Sequence, residues 1–349
     1  MSEFLVEYGM FLAKVATLVI AVLFVIAGIV NAGRQRQHPE DQGEIRVRHL
    51  NRELKDLRDG IRQAILPAWQ RKAARKERKK EEKARAKAGK KASAIPAPRP
   101  RVFVLDFEGD LRASAVDHLR REVSAVLRVA EKDDEIVVRL ESPGGLVHGY
   151  GLAASQLRRI RDQGHRLTIC VDKVAASGGY MMACIGDRIV AAPFAVVGSI
   201  GVVAQIPNFH RLLKRHDVDV ELITAGEYKR TLTLFGENTD KDRQKFQEEI
   251  EDTHGLFKEF VRDNRRNMDM DRVATGEHWF GTRARELGLV DDLMTSDEYL
   301  GGCCEDAEVY EVSWQTRPRL AERLGLSVEG TLERVLENWF HRGAHRFWQ

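Results

Sequence analysis

Leu167-Thr168-Ile169-Cys170-Val171-Asp172-Lys173-Val174-Ala175-Ala176-Ser177-Gly178-Gly179-Tyr180 is the stretch on which the fold turns. Residues 167–171 have the length and apolar character of a buried strand, and Tyr180 to Ile185 continues as a helix-like run. Ser177 therefore sits at the mouth of a helix, where the dipole and free N–H groups favour an oxyanion. A serine hydroxyl is too weakly acidic to attack an amide unaided. It needs a neighbouring base, and backbone donors for the oxyanion. About fifty residues on, Gly226-Glu227-Tyr228-Lys229 offers Lys229 as that base.

Outward from this turn, Val102 to Asp106, Ile136 to Leu140 and Arg188 to Ala192 are further strand-like runs, separated by helix-like stretches from Ala113 to Ala130 and from Gly151 to Asp162. Strands alternating with helices predict an α/β domain around a largely parallel sheet. The strand ending near Leu140 leads into Glu141-Ser142-Pro143-Gly144-Gly145, whose paired glycines let backbone approach a ligand and expose N–H groups. Ligands of open α/β sheets lie at the carboxyl ends of the strands, so this turn and the Ser177 turn should face one crevice.

Taken singly, these signals have ordinary readings. Ser177 could be a helix cap, and Lys229 a solvated surface lysine. Gly149-Tyr150-Gly151-Leu152-Ala153-Ala154 matches the dinucleotide fingerprint, but that fingerprint must begin at the strand end and here the Ser-Pro-Gly-Gly turn intervenes. His148 lies nearest the crevice without a carboxylate spaced to complete a triad. Cys170, Cys184, Cys303 and Cys304 lack the spacing of a zinc site, so neither metal nor cofactor is expected.

The 349 residues divide into four parts. Residues 1–33 hold an apolar run from Gly9 to Ala32 broken only by Lys14, long enough to span a bilayer and longer than a signal peptide's core. Residues 34–100 form a basic tether closed by a Pro-rich linker. Its densest part, 71–91, carries twelve Lys or Arg against three Glu, so a net charge of +3 overall leaves the remainder mildly acidic. Without interleaved aromatics or a reader fold, this run is read as a solvated tether beside anionic lipid rather than a nucleic-acid site. Residues 101–300 are the α/β domain and 301–349 a C-terminal tail.

In combination the chain resembles the signal peptide peptidase A family of membrane serine proteases. The likeness rests on Glu7-Tyr8-Gly9, the tether, Ser142 to Gly145, Ala175 to Tyr180, Val197-Gly198-Ser199-Ile200-Gly201-Val202 and Gly226 to Arg230. It implies a ClpP/crotonase-like repeated ββα fold behind an N-terminal transmembrane helix, and a Ser/Lys dyad without catalytic histidine or aspartate. Ser177 would be the nucleophile and Lys229 the base. Gly178 and Gly145, with Gly144, would give the oxyanion hole, and Ser199 could orient the lysine.

A lysine with an ordinary pKa near ~10.4 must lose water before it can accept the serine proton, and burial at a subunit interface could supply that. The resemblance further implies hydrophobic peptide substrates such as cleaved signal peptides, and a homo-oligomeric ring with shared sites at the inner membrane. Within the fold the alternative is a crotonase-like acyl-CoA enzyme; outside it, an idle membrane scaffold. Arg34, Arg36, Arg46, Arg48 and Arg52 follow the apolar run while only acids precede it, which places the domain in the cytoplasm; the resemblance places it outside the membrane.

Overall fold

The computed structural model describes residues 43–67, 69–70 and 99–316, with Met10, Lys14, Thr17, Lys76, Lys80 and Lys83 as isolated positions. Apart from those positions, the expected anchor at 1–33, the run at 71–91 and residues 317–349 lie outside this set. Among the described residues no helix is long and apolar enough to cross a membrane.

Four strands form the centre of the molecule: β2 (Arg101–Glu108), β3 (Glu135–Glu141), β4 (Arg166–Val171) and β6 (Arg188–Ala191). Each pairs with the next in parallel, with Val104 opposite Val137, Ile136 opposite Leu167 and Ile169 opposite Ile189. Val102, Phe103, Val104 and Leu105 are all buried, so both faces of β2 are covered, as parallel sheets require. Phe103, Leu105 and Phe107 pack in the larger core cluster, while Val102 and Val104 pack in a smaller one with Tyr299 and Leu300.

The larger core is closed by α2 (Val116–Val126) and α3 (Val147–Asp162). Val116, Leu119, Val123 and Val126 follow helical spacing and are buried, as are Tyr150, Ala153, Ala154, Leu157 and Ile160 on α3. A short α4 (Gly178–Ala183) is buried along its whole length. It follows β5 (Val174–Ala176), which belongs to a second sheet with β7 (Val196–Gly198) and β8 (His278–Phe280). The mixed α/β architecture is as expected, and β3, β4 and β6 begin and end within two residues of the predicted runs.

Both outer boundaries of the domain differ from the expected ones. β1 (Gly43–His49) joins the seven-stranded sheet, whose order is β1-β10-β2-β3-β4-β6-β9, where β9 is Asp292–Leu293 and β10 is Glu308–Thr316. Residues placed in the tether are thus part of the sheet. Arg48 pairs with Glu311 at 2.9 Å. Asn51, at the start of α1 (Leu50–Ile65), donates to the Cys304 and Ala307 carbonyls at 3.0 and 2.8 Å and accepts from the Val309 N–H at 2.7 Å. The expected boundary at 300/301 falls inside α9 (Ser296–Asp306), which packs on the sheet ahead of β10. In Gly43–His49 only Ile45 and Val47 alternate with Glu44, Arg46 and Arg48, and so short an alternation within a basic stretch reads as tether.

One buried carboxyl shows a cost inside this core. Glu122 on α2 accepts from the Trp314 backbone N–H at 2.7 Å, while its other oxygen has no partner among the described residues. Burial pushes its pKa up to about 7, against the opposing Trp314 hydrogen bond. The folded state therefore holds a proton that the unfolded state releases near pH 4.5. Stability from this group is full below that pH and falls as pH rises toward 7, by about 3 kcal/mol in all. Glu122→Gln is expected to raise the melting temperature at pH 8 and leave it nearly unchanged at pH 4.5. An equal shift at both pH values would refute this assignment.

Candidate active site

Ser177 links β5 to α4 with φ +52° and ψ −118°, a conformation rare for a residue with a side chain. Such positions cost about 1–3 kcal/mol and persist only where the surroundings impose them. Here the Ser177 N–H donates to the Gly198 carbonyl at 2.8 Å, and its carbonyl accepts from Met181 at 2.9 Å. The hydroxyl makes no capping hydrogen bond to α4. The ordinary role of a serine at a helix start is therefore not the role of Ser177.

The Ser142 to Gly145 turn packs directly on the Ser177 turn. Ser142 bridges to Ala175, with its N–H on the Val174 carbonyl and its carbonyl accepting from Ala176. Its hydroxyl is 2.6 Å from the Tyr150 hydroxyl, which donates to the Asp110 carbonyl at 2.8 Å. Burial raises the Tyr150 pKa despite the Ser142 hydrogen bond, so the phenol stays neutral; its proton goes to the Asp110 carbonyl and its oxygen accepts from the Ser142 hydroxyl, which holds the turn.

This packing sorts the three glycines. The Gly144 N–H donates to the Ser142 hydroxyl at 3.1 Å and is thereby engaged in holding the turn. A Cβ on Gly144 would stand 2.7 Å from the Gly178 nitrogen and 2.8 Å from the Ser177 Cβ, which measures how closely the two turns meet. The N–H groups of Gly145 and Gly178 have no backbone acceptor among the described residues. They are the pair left free to receive an oxyanion.

Gly145 leaves no room for a side chain, since a Cβ there would stand 2.2 Å from the Leu111 carbonyl oxygen. Gly145→Ala must shift the turn and carry the donor with it. Loss of one such donor costs about 10²–10³-fold in turnover. Peptide hydrolysis by this variant is expected to fall by at least that much, with Ser177 chemically intact; activity within about threefold of the parent would place the oxyanion elsewhere.

Ser177, Gly144, Gly145, Gly178 and Ser199 all line one cleft of about 880 Å³. Ser199 also has positive φ, at +55°, and its N–H is held by the Glu277 carbonyl at 2.7 Å. Leu111, Leu146, Val147 and Met181 line the same cleft. Leu256, Phe257 and Phe260 line it from α6 (Asp240–Asn264), where His254 meets the Ile200 carbonyl at 3.2 Å. This wall is absent from the sequence reading. The helical spacing of Phe257, Phe260 and Val261 is its only signal.

Lys229 is not part of this cleft. It is exposed, in a turn closed from its own N–H to the Gly226 carbonyl at 3.2 Å, and its ammonium has no partner among the described residues. Its neighbours are secured differently: Glu227 pairs with Lys241 at 2.6 Å, and Tyr228 lies under the ammonium groups of Lys241 and Lys245. The fold thus brings together Ser177, the three glycines and Ser199, and leaves Lys229 apart. Among the described residues no group of His, Cys, Asp or Glu could hold a metal ion, and His148 is exposed outside the cleft.

Comparison with known proteins adds to this geometry. The chain is 47% identical over 353 residues to the probable protease SohB of Haemophilus influenzae, covering 99% of each. It is 53% identical over 245 residues to the probable protease SohB of Buchnera aphidicola from Acyrthosiphon pisum, covering 70% of this chain and 73% of the other. Among solved structures it matches a membrane-bound stomatin-specific protease in complex with a substrate peptide at 13% identity and a TM-score of 0.39, over 66% of this chain and 98% of that one. Residues 3–157 match the N-terminal region of peptidase family S49 and residues 159–309 match peptidase family S49 itself, and the chain belongs to that family.

Proposed function

We propose that this peptidase is a membrane-anchored serine endopeptidase with a Ser177/Lys229 dyad, acting on hydrophobic peptides such as cleaved signal peptides. The observation that carries the reading is Ser177 itself: an uncapped hydroxyl at positive φ, opening on a cleft beside two unengaged N–H groups. Ser177 Oγ attacks the scissile carbonyl, Lys229 takes its proton and returns it to the leaving amine, and Gly178 and Gly145 hold the oxyanion. Ser199, on the cleft wall, orients the lysine amine. The apolar lining from Leu111, Leu146, Met181, Phe257 and Phe260 favours apolar side chains flanking the cleaved bond.

The position of Lys229 supports a site shared between subunits of a ring. Residues 203–235 carry Val203 and Ile223, each 90% exposed, with Leu222, Leu234 and Phe235 also exposed. Apolar surface of that extent marks an interaction face, and burying it between subunits would dehydrate Lys229 as well. Inner-membrane anchoring by residues 9–32 rests on the sequence, in which the arginines that follow favour the cytoplasmic side for the domain while the family resemblance favours the periplasmic side.

Labelling of the detergent-solubilised full chain with a fluorophosphonate tests the reading. The expected adduct maps to Ser177 and is prevented by an apolar peptide competitor. A protein that hydrolyses peptides while its adduct maps elsewhere would overturn it.

A further inference from the structure

Gly149 and Gly151 lie two residues apart on α3, and packing explains only the first. A Cβ on Gly149 would stand 2.8 Å from the Arg112 carbonyl oxygen. A Cβ on Gly151 would meet no atom within 4 Å, and its φ is outside the left-handed region that favours glycine. Inside a helix glycine is a weaker former than alanine, so Gly151 weakens α3 although nothing in the fold requires it.

What Gly151 does line is the Ser177 cleft. Val147, one turn earlier on α3, lines it too. A side chain at 151 would lean back over Val147, because helical Cβ atoms tilt toward the N-terminus. α3 begins two residues after Gly145, so the space left empty by Gly151 lies toward the oxyanion donors.

The other walls are apolar and held apart. Met181 of α4 and Phe257 and Phe260 of α6 line the same cleft. Arg158 of α3 donates to the Asn264 side-chain oxygen at 3.0 Å, and the Asn264 amide donates to the Phe260 carbonyl at 2.8 Å. These bonds tie α3 to the end of α6 that carries Phe260. No described Asp, Glu, Lys or Arg lines the cleft, so a charged peptide side chain entering it would lose water without gaining a partner. A large apolar one would leave water for contact with Val147, Met181, Phe257 and Phe260. We propose that Gly151 keeps open a subsite between α3 and α6 for a large apolar side chain next to the cleaved bond, and so sets which peptides are taken. This rests on the reading of the cleft as the place where Ser177 cuts peptides.

Peptide binding to the full-length protein in detergent tests this, with Ser177→Ala in place so that the peptides stay uncut. The probes are fluorescein-labelled all-alanine peptides with alanine or phenylalanine at one central position. The phenylalanine peptide is expected to bind about tenfold tighter or more, and Gly151→Leu should cut that preference to under about threefold by filling the subsite. Gly255→Leu, equally open but on α6 and outside the cleft, should leave the preference intact. No preference before substitution, a preference that survives Gly151→Leu, or equal loss with Gly255→Leu would overturn the proposal. Gly151→Ala guards against a damaged fold. It should lower the preference while raising the melting temperature by about 2 °C or more, whereas a lower melting temperature would show that packing needs the glycine and would also overturn the proposal. The two readings fail separately. If the Ser177→Ala protein still cuts the peptides while Gly151→Leu removes the preference, the nucleophile assignment falls and the subsite stands.

Discussion

Ser177→Ala is expected to lower peptide hydrolysis by about 10⁴-fold or more while leaving the fold intact. Loss of a catalytic nucleophile removes the covalent route and leaves only binding and the oxyanion donors, which explains the size of the effect. The structural cost is small because the hydroxyl caps nothing: α4 begins without a side-chain hydrogen bond from Ser177. Alanine keeps the strain of φ +52°, whereas glycine releases it. Ser177→Gly should therefore be equally inactive yet more stable than the parent, by about 1 kcal/mol or more. Activity and stability moving in opposite directions at one residue would mark the strain as serving the reaction. If Ser177→Ala keeps more than about a tenth of the parent turnover, the nucleophile lies elsewhere.

Why the sequence revealed this site so readily, and other parts so poorly, follows from what each part depends on. Gly144 and Gly145 follow β3 of the main sheet, while Ser177 and Gly178 follow β5 of the second sheet, and the bridge from Ser142 to Ala175 brings the two turns together; the sequence placed both at strand ends, though it did not show the second sheet. The buried strands are legible because both faces are covered, which makes Val102 to Leu105 a continuous apolar run. The edge strand β1 is not, since its alternation is only Ile45 and Val47 between charged residues, and much of its hold comes from ion pairs and backbone pairing that the pattern does not show. The division of labour among the glycines was equally hidden. That the Gly144 N–H is engaged while that of Gly145 is free depends on the Ser142 hydroxyl, which is fixed by Tyr150 and, through it, by the Asp110 carbonyl in a separate turn. The α6 wall was missed for a related reason: Phe257 and Phe260 lie far along the chain, and only the tertiary fold sets them opposite Met181.

Mixing two inactive variants is expected to restore activity. Lys229 stands outside the cleft that holds Ser177, and the residues leading to it expose Val203, Leu222 and Ile223. A lysine in water is protonated near neutral pH and cannot act as a base; one enclosed between subunits loses hydration and can. The arrangement that reconciles these facts pairs Ser177 of one subunit with Lys229 of its neighbour. Lys229→Ala and Lys229→Arg should each be as inactive as Ser177→Ala, the arginine because a guanidinium does not release its proton. When Ser177→Ala and Lys229→Ala chains are co-assembled in equal amounts, a site is complete where the first supplies the lysine and the second the serine. Random assembly around a closed ring yields that arrangement at about a quarter of the interfaces, and hydrolysis should recover toward that fraction. The effect is large because it is read against parents with almost no activity. Co-assembled mixtures as inactive as either parent would show that both residues act within one chain, and that Lys229 must reach its own cleft by a rearrangement of residues 202–239.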